Sequence, residues 1–192
     1  SDVTYPSVAG TSVARDFVEL PSQLYEHWLM VPEVLRGHAR HVESGEPIPD
    51  DLIERLTRAA TYDQGFGTVE YVASALVDLD LHDGTTDGTT DLLAAEAATL
   101  ERIGMPRAIT MRHRTPHFQH IFSGGSYAAG YYSYLWSEVM DADAFAAFKE
   151  AGSAFDPTMA QKLKEHIYAA GGATDPAELY TGHARHPLIG EQ

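Results

Sequence analysis

The sequence has no cysteine. Disulfide scaffolds, thiol nucleophiles and cysteine-rich zinc sites are therefore excluded together. Basic charge is also scarce: 13 Lys and Arg stand against 28 Asp and Glu, for a formal charge of -15. Such a surface repels a phosphate backbone, so nucleic acid is not an expected partner. No window approaches the roughly 18 apolar residues of a membrane span, and the first residues, SDVTYPSVAGTSVARDF, lack a basic stretch followed by an apolar core. A soluble protein without a membrane partner is expected, cytoplasmic in placement.

Strand alternation is scarce as well, whereas the 3.6-residue period recurs. In DFVELPSQLYEHWLM, Phe17, Leu20, Leu24 and Trp28 share one face, which the following Val31 roughly continues, with Pro21 tolerable only near the first helical turn. Asp50 and Asp51 read as N-terminal caps of LIERLTRAA, and GTVEYVASALVDLDLH has the spacing of a buried helix. HDGTTDGTTD is a turn-forming motif run twice, and its aspartates 83, 87 and 91 lack the spacing and closing glutamate of a calcium loop. DLLAAEAATLERIG, DADAFAAFKEAG, PTMAQKLKEHIYAAGG and DPAELYTGHARHP complete the helical pattern. The fold class expected is mainly α, a single helical unit over residues 1–192.

One stretch is unusual. HFQHIFSGGSYAAGYYSYLWSEV, from His117 to Val139, holds two histidines, a glycine turn and four tyrosines. A helix beginning near Ser126 would align Tyr127, Tyr131 and Tyr134 on one face and send Tyr132 elsewhere. Two readings follow: rings that fill the core with wet tips, or phenol donors beside a ligand. Gly124 and Gly125 let backbone approach a ligand closely, and His120 lies at their edge. Donors of this kind are what stabilising an oxyanion, or gripping a peptide, requires. The pairs His38/His41, His117/His120 and His183/His186 are each spaced i, i+3, and GHARH occurs twice. None carries the glutamate of His-Glu-x-x-His, so they read as surface histidines.

GTSVARDFVELPSQLYEHW and HIFSGGSYAAGYYSYLWSEVMDADAF together resemble two distinctive segments of the thimet oligopeptidase and peptidyl-dipeptidase family of zinc metallopeptidases, in the right order. The resemblance covers essentially the whole chain but only the C-terminal portion of a family member, and it implies the multi-helix C-terminal part of a zincin-like oligopeptidase fold. It implies Glu19 as the third zinc ligand, where the residues alone suggest a capping-box partner of Asp16. It implies Tyr127 and Tyr134 as catalytic oxyanion donors, with His120, Tyr131, Gly124 and Gly125 binding substrate on a hinged loop.

His-Glu-x-x-His is absent, and the tail LYTGHARHPLIGEQ only loosely resembles the family's arginine-containing end, at Arg185. The expectation is thus a fragment of a peptidase of short peptides, inactive by itself, with zinc absent or weakly held. Its partners would be the portion carrying His-Glu-x-x-His, or a second copy met through exposed apolar surface. A non-catalytic peptide-binding module and a separate subunit completing a split zinc site are the alternatives.

Overall fold

A computed structural model describes residues 1–183; Arg185 and His186 lie outside the described residues. The fold is mainly α, as expected: among the described residues there are eight α-helices and no strand, only an isolated bridge between Arg40 and Pro47. No helix there is long and apolar enough to cross a membrane. Where the sequence suggests one unit, the chain groups into two compact ones: residues 1–59 with the chain from Ser133 onward, and Ala60–Tyr132.

The first unit contains α1 (Leu20–Leu29), α2 (Pro32–His38), α3 (Asp50–Ala59), α6 (Ser133–Glu150), α7 (Pro157–Leu163) and α8 (Pro176–His183). Proline stands in the first turn of α1, where its missing N–H costs nothing. The apolar face of α1, Leu20, Leu24 and Trp28, packs with Phe17 against Met140, Ala144, Phe145 and Phe148 of α6. Trp28 meets Phe145 and Phe148 edge to face at 4.9 and 5.1 Å, and its indole N–H donates to the Ala154 carbonyl at 2.9 Å. Burial of each such ring contributes roughly 1.5–3 kcal/mol. Asp156 caps α7 through the Met159 N–H, and a π turn, Lys164–Ala169, carries it on to the glycines. Those glycines do more than stop a helix: a Cβ on Gly172 would lie 2.2 Å from the Ser12 carbonyl, so only glycine lets the N-terminal segment pass this close.

Asp50 and Asp51 are the opening turn of α3 rather than its cap, and Asp50 accepts from Arg36 Nε at 2.8 Å. Nor is His183 a surface histidine. It is 1% exposed beside Phe148, and among the described residues neither ring nitrogen makes a hydrogen bond of ordinary geometry. Burial pulls its pKa down to about 4; the Ala144 carbonyl and Asp143 oppose that shift, and His166 and Lys162 reinforce it.

The second unit is built on α4 (Gln64–Leu81) and α5 (Leu92–Arg102), joined by the aspartate-threonine loop. Asp83 and Asp87 each accept from the backbone N–H and hydroxyl of the threonine two residues on, and those bonds lower both carboxyl pKa values. Asp91 then caps α5 through the N–H groups of Leu93 and Ala94. Val77 and Leu81 of α4 form a small core with Met111, Phe118 and Ile121, which belong to the irregular segment after α5.

Candidate functional site

The expected helix does not begin at Ser126. Residues 125–129 and 131–132 form turns, and α6 starts at Ser133. Tyr127, Tyr131 and Tyr134 are therefore not one helical stripe. The break has a visible cause: Ala129 takes a left-handed conformation, φ +54°, which interrupts any helix through it. Gly124 has φ +149°, a conformation that side-chain-bearing residues rarely adopt, so the glycine turn is needed for the path and not only for close approach.

The second unit nonetheless gathers three of the expected residues. The His120 ring meets Tyr127 edge to face at 5.1 Å and Tyr131 at 5.3 Å. Tyr131 is half-buried, stacked on Tyr71 at 5.2 Å and edge-on to Phe118 at 4.8 Å, while Tyr127 is 38% exposed. The rings differ in environment: Tyr131 packs against the small core, and Tyr127 faces out beside the imidazole. Burial raises the Tyr131 phenol pKa and Arg112 pulls it back, so at neutral pH it stays protonated as a donor. Gly124 and Gly125, separated from Tyr127 by Ser126, are exposed.

The backbone under this cluster is held by α4. Asp78, fully buried, accepts from the Ala129 N–H at 3.0 Å on Oδ1 and from the Tyr131 N–H at 2.8 Å on Oδ2. Oδ1 also lies 2.8 Å from His82 Nδ1, and the Tyr71 hydroxyl donates to the Tyr131 carbonyl. A second buried carboxylate, Glu96 of α5, accepts from the Thr115 N–H at 2.7 Å, the Thr115 hydroxyl at 2.8 Å and Arg114 Nε at 2.6 Å. Sequence reasoning passed over both acids. Their signal was a carboxylate set among the apolar positions of a helix, in VASALVDLDLH and LLAAEAATL.

Glu19 and Tyr134 belong to the first unit. Glu19 is the residue before α1 and makes no capping bond to the helix, so the capping box with Asp16 is not formed; its Oε2 accepts from the Ser22 hydroxyl at 2.7 Å. One turn on, Gln23 donates to the Tyr134 carbonyl at 3.1 Å, which ties the first turn of α6 to α1. Gln23 Oε1 is buried and, among the described residues, without a partner.

Among the described residues no three His, Asp or Glu side chains come together as a metal cage. The donor set present does not fit a tetrahedral zinc centre by itself: Glu19 offers one carboxylate where such a centre needs three or four protein ligands. His38 and His117 are exposed, and His41 Nδ1 accepts from the backbone of Glu43 and Ser44.

Residues 1–186 match peptidase family M3, and the chain belongs to that family. It is 38% identical over 188 residues to a dipeptidyl carboxypeptidase of Salmonella typhimurium, covering 95% of this chain and 27% of that protein. With oligopeptidase A of Escherichia coli it shares 39% identity over 178 residues, 90% of this chain and 25% of the relative. A probable cytosolic oligopeptidase A of Arabidopsis thaliana is 36% identical over 187 residues, 90% of this chain and 25% of the relative. The chain thus spans about a quarter of the length of the curated relatives it matches. The family is one of peptide-hydrolysing enzymes.

Proposed function

We propose that this chain is the C-terminal part of a cytoplasmic, zinc-dependent oligopeptidase of the peptidyl-dipeptidase kind, acting on short peptides. The observation that carries the reading is the His120–Tyr127–Tyr131 cluster at a glycine turn, in a chain matched to a peptidase family over nearly its whole length. Glu19 takes the role of third zinc ligand, with two histidines supplied by a His-Glu-x-x-His portion; the bound metal would polarise the scissile carbonyl.

The roles of the remaining residues follow from their chemistry. Tyr127 and Tyr134 donate their phenol hydrogens to the oxyanion that develops on the peptide carbonyl, each worth roughly 2.7–4 kcal/mol when well placed. His120 and Tyr131 position the peptide, and Gly124 and Gly125 give the loop the freedom to close on it. The chain alone is inactive and holds zinc weakly, because one carboxylate does not make a site. Exposed Leu52 and Leu56 on α3 support self-association of the isolated chain.

The test is hydrolysis of a quenched fluorescent peptide with added zinc, by this chain, by a polypeptide carrying His-Glu-x-x-His, and by the two mixed. Activity is expected in the mixture alone, with kcat reduced about 10²–10³-fold by Tyr134→Phe and abolished by Glu19→Ala. A silent mixture of two folded and associated parts overturns the reading in favour of a peptide-binding module.

A further inference from the structure

We infer that Asp78 is a positioning residue for the tyrosine loop: the buried carboxylate, locked by His82, sets the backbone path on which Tyr127 and Tyr131 stand. The role assigned to those tyrosines rests on the peptidase reading; the anchor itself rests on geometry. Asp78 is 0% exposed near the end of α4, and every bond its side chain makes serves the loop or the lock. Each carboxylate oxygen takes one loop amide, Ala129 on Oδ1 and Tyr131 on Oδ2. A bidentate grip on two amides separated by one residue defines the turn between them, which a single bond does not.

Three neighbouring features make the grip specific. His82 Nδ1 faces two acceptors, Asp78 Oδ1 at 2.8 Å and the Asp78 carbonyl at 2.9 Å, so Nδ1 carries the hydrogen and the ring acts as donor. The same ring lies against Phe122 at 5.6 Å, on the other side of the glycine turn from Tyr127. Tyr71, two turns before Asp78 on the same face of α4, bonds the Tyr131 carbonyl and stacks on its ring. Both backbone polar groups of Tyr131 are therefore claimed by α4. Ala129, between Tyr127 and Tyr131, is kept in its left-handed conformation by the same carboxylate.

The anchor is tested in this chain by amide hydrogen exchange and by the ring resonances of His120 and Tyr127, and its role in turnover by kcat and KM of the mixture described above. Asp78→Asn puts an amide where an oxygen accepted, so exchange at Ala129 and Tyr131 should quicken at least about 10-fold, with both ring signals displaced. Amides of Leu24 and Phe148 should keep their protection. In the mixture kcat should fall about 10²-fold with KM little changed, since the donors are displaced rather than removed.

His82→Leu should act in the same direction, and His82→Gln, which retains a donor, should restore the wild-type pattern. That pair carries the test if Asp78→Asn does not fold. Unchanged exchange at Ala129 and Tyr131 overturns the anchor; lost protection with unchanged kcat overturns the positioning role. Should the unsubstituted mixture itself never cleave peptide, the peptidase reading is what fails. The anchor is then decided by exchange and by the two ring signals, and unmoved ring signals overturn it.

Discussion

Phe148 and Asp78 are almost equally inaccessible, 1% and 0% exposed, yet they hold their surroundings by opposite means. Around Phe148 residues 133–183 and 1–59 form helix-on-helix packing, where apolar rings interlock and the backbone satisfies itself. Around Asp78 some thirty residues without long helices, from Ile103 to Tyr132, must find partners for their amides elsewhere. Buried carboxylates on α4 and α5 provide them: Asp78 near the end of the segment, Glu96 in its middle at Thr115. An apolar core tolerates small shifts, because dispersion and burial are non-directional. Hydrogen bonds to a buried carboxylate do not, because their geometry is directional.

That contrast can be broken most forcefully from the apolar side. Phe148→Ala should cost about 3–5 kcal/mol through lost burial and the cavity left beneath Trp28. Urea unfolding followed by Trp28 fluorescence should show the earlier midpoint, with Ala129 and Tyr131 amides unaffected under native conditions. Protection lost equally in both places would mean that the two units do not respond separately.

Acid comes next in size. The buried His183 has a pKa of about 4 against an ordinary 6.5, so the fold favours the neutral ring. Stability from this group is complete above about 6.5 and is lost as pH falls through the window down to about 4, about 3 kcal/mol in all. Thermal midpoints measured across that range should fall with acidification, and less steeply in His183→Gln. Smallest is the cap: Asp91→Ala removes two bonds to the first turn of α5 and should cost about 1 kcal/mol by the same melts.

The helices were legible wherever an apolar face repeats. α1, α4 and α5 stand where Phe17 to Trp28, the GTVEYV stretch and DLLAAEAATL place them, because that period needs no knowledge of the partner face. The aspartate-threonine loop was legible for a related reason, since its hydrogen bonds are local. The start of α6 was not. Tyr127, Tyr131 and Tyr134 have helical spacing, but Asp78, some fifty residues earlier, takes the amides of Ala129 and Tyr131 out of any helical ladder. His183 misleads similarly: its exposure depends on Phe148 and on α6, far away in sequence.

What this sequence determined by itself is its helical class, its acidic cysteine-free character and its family motifs, from which the proposed roles of Glu19, His120, Tyr127, Tyr131 and Tyr134 are taken. These are properties of composition, period and motif, and they survive without coordinates. The tertiary structure alone decided that His120, Tyr127 and Tyr131 gather at a turn rather than along a helix, and that Asp78 holds the turn. The physical reason is range: a helical period is set by neighbours within four residues, whereas a buried carboxylate satisfies whichever distant amides the fold brings to it.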